Sequence, residues 1–354
     1  MKDIMLTNNP TFNNGCSGSL KSEFDKSIAR LKKLNVEYAY IPQWHWIGTN
    51  GDGSWYIMRA EDTFGPLSDS DLSYFVKAAH AANIKVIMMN QIQGLRESNG
   101  SSIIPDANLT NYRKWFDAYQ AYILERAPYF QSLGIDIWEL GCNACVFMDQ
   151  GTGSTTDQVF FASEYEKLLP KMKDIFKGQI AFGAGGANWL INTPSILDSI
   201  DVVVTGLWDN NFLPNASQPL TVNNLKANFN TNAIQFDRVG KSVLIALGTQ
   251  SRANWFTLRG YVEETGCTSS VNAINTSNSA CIQKDTSPDF SLQAIYYEAA
   301  FEYLSNIAFK GSVIIGPGDM WETDSMISNS VFPNIGATVR NKPAEGIIKS
   351  WYAH

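Results

Sequence analysis

The sequence is short of positive charge and of histidine. Its 354 residues carry 27 Lys and Arg against 34 Asp and Glu, a formal net charge of -7, and only three His. A surface of this sign cannot neutralise a phosphate backbone, so we expect no nucleic acid partner. Metal binding needs His or carboxylates clustered at ligand spacing. No such cluster appears, and we predict neither a metal site nor another cofactor.

Long apolar runs and nucleotide-binding motifs are absent as well. No stretch reaches the roughly 18 consecutive apolar residues of a membrane span, so we expect no membrane partner. The segment after Met1 has no basic region followed by an apolar one, and we expect no signal peptide in this chain. Neither a P-loop nor a G-x-G-x-x-G turn follows the first strand pattern, which disfavours the common nucleotide-binding folds.

Cysteine occurs five times, an odd number. Cys267 and Cys281 flank a Ser-, Thr- and Asn-rich segment that can bury little, and we predict a disulfide between them. A disulfide implies an oxidising compartment, hence a secreted or periplasmic protein. Cys142 and Cys145 form a lone C-x-x-C, either a local disulfide or two free thiols, and the pairing of Cys16 stays open.

The chain does contain a regular alternation of strand and helix patterns. Short apolar runs rich in β-branched residues are separated by segments whose apolar residues recur at helical spacing. We predict strands over 3–7, 37–43, 84–89, 179–182, 200–205, 242–247 and 312–315, with a further strand from Ile135 to Glu139. We predict helices over 20–34, 109–132, 156–176, 221–237, 290–308 and 344–352, and one that begins after Ser68 or Ser70.

This alternation predicts the α/β class and a single (β/α)8 TIM barrel that spans residues 1–354. Its long loops follow the second and seventh strands. The first, over 47–66, is expected to be exposed on the substrate side, and the second is an inserted loop at about 249–288. A doubly wound open sheet is the alternative fold, and we expect a monomer.

One strand delivers a carboxylate to its C-terminal end. The run I-D-I-W-E-L-G-C-N places Glu139 between apolar residues, where an unpaired charge is costly. In a TIM barrel the C-terminal ends of the strands carry the catalytic groups, so Glu139 is a candidate catalytic residue. The alternative is a Glu that forms a salt bridge at a strand end.

The residues at the predicted strand ends are amides, carboxylates and aromatics, with little Lys or Arg. Such a set suits a neutral, hydroxyl-rich substrate, and aromatic rings in loops suit stacking on sugars. We therefore predict an oligosaccharide or polysaccharide partner. The candidate substrate-binding residues are Trp44, His45, Trp55, Asn90, Gln91, Asn143, Trp208, Gln250, Trp255, Asp319 and Trp321. For His45 a structural role is the alternative, and Trp321 is expected to form the floor of the cleavage subsite.

Several segments resemble a known enzyme family. The segment D-L-S-Y-F-V-K-A-A-H-A-A-N-I-K-V-I-M-M-N, the strand D-I-W-E-L-G and the closing N-K-P-A-E-G-I-I-K-S-W-Y are similar to clan A glycoside hydrolases, most of all to family 113. The known members of that family are β-mannanases. The resemblance implies a retaining enzyme that cleaves within a β-linked polysaccharide, mannan-like or an exopolysaccharide, with Glu139 as the acid/base.

The resemblance also implies a nucleophilic Glu on the seventh strand, which here reads K-S-V-L-I-A-L-G-T-Q-S. When the family's Gly and Ser are aligned with Gly248 and Ser251, Ala246 occupies the nucleophile position. One interpretation is a deliberate Glu→Ala variant that traps substrate. The other is a naturally altered protein, either a carbohydrate-binding pseudoenzyme or an enzyme whose second carboxylate comes from Asp319, Glu322 or Asp209. An unrelated aldolase or isomerase barrel is a further alternative, but no clear strand-end Lys or metal cluster favours it.

One more position departs from the family pattern. The clan places an Asn directly before the acid/base Glu, and this sequence has Trp138 there. We therefore expect the contact to the sugar 2-hydroxyl to come from Asn90 or Asn143.

Overall fold

The computed structural model describes most of the secondary structure and a smaller part of the loops. The described residues are 2–5, 20–59, 67–96, 102–103, 105–140, 155–183, 193–208, 221–232, 239–249, 289–307, 311–315, 339 and 341–353.

Ten strands lie within these residues. They are β1 (Lys2–Met5), β2 (Tyr38–Thr49), β3 (Trp55–Ile57), β4 (Lys85–Arg96), β5 (Ser102–Ile103), β6 (Ile137–Leu140), β7 (Gln179–Gly183), β8 (Val202–Trp208), β9 (Ser242–Gly248) and β10 (Gly311–Ile315). The same residues contain eight helices, α1 (Leu20–Lys33), α2 (Asp69–Ala81), α3 (Leu109–Leu133), α4 (Thr155–Ile175), α5 (Pro194–Ser199), α6 (Val222–Asn232), α7 (Phe290–Ser305) and α8 (Pro343–Tyr352).

Eight of the strands form a closed parallel barrel. Going round it, the order is β1, β2, β4, β6, β7, β8, β9, β10 and back to β1, with β2–β4 and β1–β10 both parallel. The predicted (β/α)8 fold is thus confirmed. β3 and β5 are short antiparallel additions to β2 and β4.

The register fixes how the strands are staggered. Ile4 on β1 pairs with Ala39 on β2, and Ala39 pairs with Val86 on β4. When the same register is followed through the remaining strands back to β1, the position reached is eight residues before Ile4. A shear of about eight for eight strands is the usual geometry of this fold. The level of a residue within the barrel therefore rises by one position per strand.

This stagger sorts the inward-facing side chains into layers. Mostly apolar residues fill the lower levels, and the outer faces of the strands pack on the helices in a second, larger core. From the lowest level upward, the inward residues whose side chains are described include Tyr38, Ile137, Val202 and Ser312; Ile87, Ala181 and Leu244; Tyr40, Glu139 and Val204; and Met89 and Ala246.

Local signals explain how the chain reaches these strands. Ser68, one of the two predicted caps, accepts a hydrogen bond from Asp71 N at the start of α2. Asn108 caps α3 in the same way. Gly134 ends α3 with a φ of 73°, a left-handed conformation that glycine adopts at little cost. The chain then turns directly into β6, the strand that carries Glu139.

The second and third barrel strands are longer than predicted. β2 and β4 each have 12 residues and pair from Tyr38 with Lys85 to Ile47 with Leu95. The register shifts once, between His45 and Ile47, where β4 has one extra residue. Together with β3 and β5 they form a four-stranded ribbon above one side of the barrel. We call residues 45–49, 55–57, 91–96 and 102–103 the wall. The predicted exposed loop over 47–66 is therefore wrong in its first part, which forms a hairpin with the pairs Ile47–Ile57 and Thr49–Trp55.

Candidate active site

A buried carboxyl group, that of Glu139, faces the barrel interior. Glu139 is 4% exposed, and its Oε2 accepts a hydrogen bond from the hydroxyl group of Tyr40, which lies at the same level on β2. Burial raises the pKa of Glu139 to about 7, and the hydrogen bond from Tyr40 opposes part of that rise. Among the described residues, no other Asp or Glu is buried. A carboxyl group with a pKa near neutrality is suited to both giving and accepting a proton.

Position 246 faces the same interior space. Ala246 lies on β9, three strands round from β6 in a barrel of eight, and belongs to the layer directly above Glu139. Its side chain is 7% exposed. A longer side chain at this position would project into the barrel opposite the strand of Glu139. Among the side chains that the structure describes, Glu139 is the one carboxyl group that faces this space, and position 246 carries a methyl group.

A second polar cluster lies on the outer side of the same strands. The Nε1 of Trp138 donates to Asn90 Oδ1 at 2.7 Å. Asn90 Nδ2 lies 3.1 Å from His45 Nε2 and 3.0 Å from the hydroxyl oxygen of Tyr122 on α3, and that hydroxyl is 2.9 Å from the same His45 nitrogen. His45 Nδ1 donates to Met58 O at 3.0 Å. We call Trp138, Asn90, His45 and Tyr122 the outer network.

The outer network fixes the protonation state of its histidine. Burial lowers the pKa of His45 to about 4, so the ring is neutral at pH 7 with its proton on Nδ1. Nε2 is then free to accept from Tyr122 and Asn90. Each polar atom of the His45 ring and of the Asn90 side chain therefore has a partner inside the protein.

A small pocket opens beside this network, between the sheet and helices α2 and α3. Arg126 crosses it and donates from both terminal nitrogens to Asp69, at 3.0 and 2.5 Å. Gln43 closes another side, where its Oε1 accepts from Leu67 N at 2.6 Å. The charged side chains that line this pocket are largely paired with one another or with their neighbours. This pairing indicates that the pocket has a structural role.

The structure thus separates the predicted site residues into two groups. Glu139 and position 246 face the interior, and Gln91 is partly exposed at an inward position on β4. His45 and Asn90 lie in the outer network, so in this structure neither faces the barrel interior, unlike our expectation.

Trp55 also differs from the expectation. It lies opposite Thr49 on the outer face of the wall, packs on the outer core, and has the amino group of Lys114 of α3 at 5.8 Å from its ring centroid. For Trp44 on β2 and Trp208 at the end of β8, only the backbone is described. The remaining candidates lie outside the described residues: Asn143, Asp209, Gln250, Trp255, Cys267, Cys281, Asp319, Trp321 and Glu322.

Sequence reasoning missed Tyr40. The signal was available, because Tyr38 and Tyr40 alternate along β2 and a two-residue period places both on one face. Deciding which face is inward, and that Tyr40 meets Glu139 at one level, requires the stagger of the barrel. No local pattern in the sequence contains that information.

Two negative findings apply to the described part of the chain. No group of three or more His, Cys, Asp or Glu is arranged there to hold a metal ion. None of the helices in that part is both long and apolar enough to cross a membrane.

Comparison with known proteins gives a match in structure alone. Neither a protein-family model nor a curated protein matches the sequence. A β-1,4-mannanase of glycoside hydrolase family 113 superposes with a TM-score of 0.64 over 99% of this chain and 98% of its own, at 14% identity. A complex of a family 113 β-1,4-mannanase gives 0.62 over 94% of both chains, at 16% identity. The family 113 β-mannanase from Alicyclobacillus acidocaldarius in complex with ManMIm gives 0.63 over 94% of this chain and 91% of its own, at 13% identity.

At such identities the likeness establishes the fold. The chain has the barrel fold of these glycoside hydrolases over most of its length, and the predicted resemblance to family 113 is confirmed at that level.

Proposed function

We propose that this protein is a retaining glycoside hydrolase that cleaves within a β-linked polysaccharide, mannan-like or an exopolysaccharide. The observation that carries the proposal is Glu139. It is a buried carboxyl group with a pKa raised to about 7, and it faces the interior of a barrel with the fold of β-mannanases. The secreted or periplasmic location and the monomeric state remain predictions.

Glu139 would act as the acid/base. In the first step its carboxyl proton goes to the glycosidic oxygen as the bond to the anomeric carbon breaks. In the second step the resulting carboxylate takes a proton from the water that attacks the same carbon. A pKa near 7 suits both directions of transfer, and the hydroxyl group of Tyr40 would hold the carboxyl group in place.

The nucleophile would be a carboxylate at position 246, where this chain has Ala246. A Glu on β9 would approach the anomeric carbon from the side opposite Glu139, as a retaining mechanism with carboxyl groups about 5–5.5 Å apart requires. Without that group no covalent glycosyl-enzyme forms. We therefore propose that the chain with Ala246 binds substrate and has little or no activity, as a Glu→Ala variant would.

The test compares the chain with its Ala246→Glu form on soluble mannan, xylan and galactan. We expect oligosaccharide release from the Glu form at a rate at least 10³-fold, as an order of magnitude, above that of the Ala form. Ala246→Gln is the matched control, since it has the same size and no carboxylate, and should stay inactive. Glu139→Gln in the Ala246→Glu background should remove the activity again. Full activity of the unchanged chain would overturn the assignment of position 246.

A carbohydrate-binding pseudoenzyme is the second candidate. It is favoured by the observation that Glu139 has no second buried carboxyl group among the described residues. This candidate predicts saccharide binding by both the Ala246 and the Ala246→Glu forms, with no product from either. Isothermal titration calorimetry beside the activity assay separates the two functions.

A further inference from the structure

The inner face of the wall carries aromatic side chains in a row. Side chains alternate along β2, so the outward positions of His45 and Ile47 place Trp46 on the inner face, above the barrel mouth. Gly48 shares that face, and its hydrogen-bonded neighbour on β3 is Tyr56. Trp46 and Tyr56 are both partly exposed, in contrast to the fully buried rings of the core.

The glycine brings the two strands of this face close together. A Cβ at Gly48 would overlap the ring of Tyr56, so the phenol lies directly on the backbone of β2. The ring keeps part of its surface exposed beside this contact. Trp46 is two residues before Gly48 on the same face, so the indole and the phenol lie on the same side of the hairpin.

Arg96 adds a polar group to this row. Its guanidinium lies 5.1 Å from the ring centroid of Trp46, a cation–π distance that fixes the indole against β4. Guanidinium groups carry five N–H donors, which suit the hydroxyl oxygens around a sugar ring. The inner face thus combines flat apolar surfaces with directed donors, the usual composition of a site for an amphipathic ring such as a pyranose.

The row is continuous with the proposed cleavage site. Tyr40, the partner of Glu139, lies on the same strand and the same face as Trp46, six residues earlier. At about 3.3 Å per residue, Trp46 lies roughly 20 Å along β2 from Tyr40, the partner of Glu139. A saccharide that reaches both places must be several sugar units long.

We infer that Trp46, Tyr56 and Arg96 form a distal sugar-binding subsite, which holds a pyranose ring of the polysaccharide some distance from the bond that is cleaved. This inference rests on the proposed function, because it takes the ligand to be a saccharide. A distal subsite would let the wall hold long saccharides in the cleft. It would also give a reason for β2 and β4 to extend past the other strands of the barrel.

Matched variants can be made on the two faces of the short strand β3. Tyr56 is on the inner face, whereas its neighbour Trp55 packs against α3 on the outer face. Trp46→Ala and Tyr56→Ala remove the proposed platform, and Trp55→Ala removes an aromatic ring of similar size from the same strand. Trp46→Phe retains a flat ring at the first position and serves as the rescue variant.

The experiment measures binding of mannobiose, mannohexaose and xylohexaose to each variant by isothermal titration calorimetry, with thermal unfolding to confirm that each is folded. We expect Trp46→Ala and Tyr56→Ala to weaken binding of the longer saccharides about tenfold or more, which corresponds to the loss of about 1.4 kcal/mol. Binding of mannobiose should not change. Trp55→Ala should leave every affinity as it was, and Trp46→Phe should restore most of the loss.

Two different failures are distinguishable. If the unaltered chain binds a longer saccharide and Trp46→Ala and Tyr56→Ala bind it equally well, the distal subsite is overturned and the proposed function stands. If the unaltered chain binds none of these saccharides, nor mannan, xylan or galactan in affinity gels, the proposed function falls and the subsite falls with it.

Discussion

The two faces of the barrel sheet bury polar side chains in opposite ways. On the outer face, every polar atom of the His45 ring and the Asn90 side chain is matched by a partner within the protein. On the inner face, Glu139 has one recorded hydrogen bond, from Tyr40, and apolar residues above and below it.

This difference in hydrogen bonding indicates different roles for the two faces of the sheet. A satisfied buried network stabilises one arrangement of the chain, and a ligand would have to break it in order to gain contacts. A buried acid with one partner keeps capacity for a further hydrogen bond or a proton transfer, at a cost in stability. The outer network thus holds β2, β4, β6 and α3 together, and the inner face retains a buried acid, the group to which we assign the proposed chemistry.

The largest effect that sharpens this comparison is on the pH dependence of stability. The pKa of His45 is lowered from 6.5 to about 4, so between these values the unfolded chain binds a proton that the folded chain does not. Its contribution to stability is complete above pH 6.5 and is lost as the pH falls towards 4. The pKa of Glu139 is raised from 4.5 to about 7, so its contribution is complete below pH 4.5 and is lost as the pH rises through 7.

Each contribution has a size of about 3 kcal/mol, and in the unaltered chain the two largely cancel between pH 4.5 and 6.5. In Glu139→Gln only the His45 contribution remains. The free energy of unfolding of this variant, relative to that of the unaltered chain, should therefore rise by about 3 kcal/mol as the pH increases from 4.5 to 6.5. For His45→Gln it should fall by a similar amount. Urea unfolding at several pH values measures both slopes. Parallel curves for the three proteins would contradict the assigned protonation states.

The sequence was sufficient to predict where most strands and helices lie. It was not sufficient to predict which side chains face the barrel interior. The apolar, β-branched runs and the helical periodicity placed most barrel strands correctly, because both signals are local. Alternation along the chain places Asp136, three residues before Glu139, on the opposite face. There it accepts a hydrogen bond from Val86 N at 2.8 Å and lies 3.1 Å from His80 Nε2.

The sequence was insufficient where the position of a side chain depends on other strands. His45 and Asn90 lie at the ends of predicted strands, yet the extension of β2 and β4 buries them between the sheet and α3. Trp55 reads as a loop residue until its pairing with Thr49 places it on the outer face. Register and stagger are set by the closed barrel as a whole, so a residue's neighbours at its level cannot be read from its own segment.

A smaller effect is expected when the outer network is broken. Asn90→Ala leaves the indole N–H of Trp138 without its acceptor in a buried position, and removes a donor to His45. We expect a loss of about 2 kcal/mol in the free energy of unfolding, measured in urea. Asn108→Ala is the control, since it removes an exposed helix cap and should cost only about 1 kcal/mol. A loss from Asn90→Ala no larger than that from Asn108→Ala would contradict the expectation that the buried network stabilises the sheet more than an exposed cap stabilises its helix.

The smallest effect tests the inner face at the wall. Gly48→Ala places a methyl group where the Tyr56 ring lies, so the ring must move off β2. We expect a loss of about 1 kcal/mol in the free energy of unfolding, at the low end for an overpacked site, because the ring is partly exposed and can swing outward. Gly51→Ala is the matched control, with nothing within 4 Å of the added carbon, and should be neutral.

The same pair of variants distinguishes packing from binding. If the Tyr56 ring serves only to cover Gly48, Gly48→Ala changes stability and leaves saccharide affinity unaltered. If the ring is part of a platform, the displaced ring also weakens mannohexaose binding, while Gly51→Ala changes neither quantity. Suppose that variants of the inner face change saccharide affinity and variants of the outer network change only the free energy of unfolding. The inner face of β2 and β4 then serves binding, and the outer face serves stability.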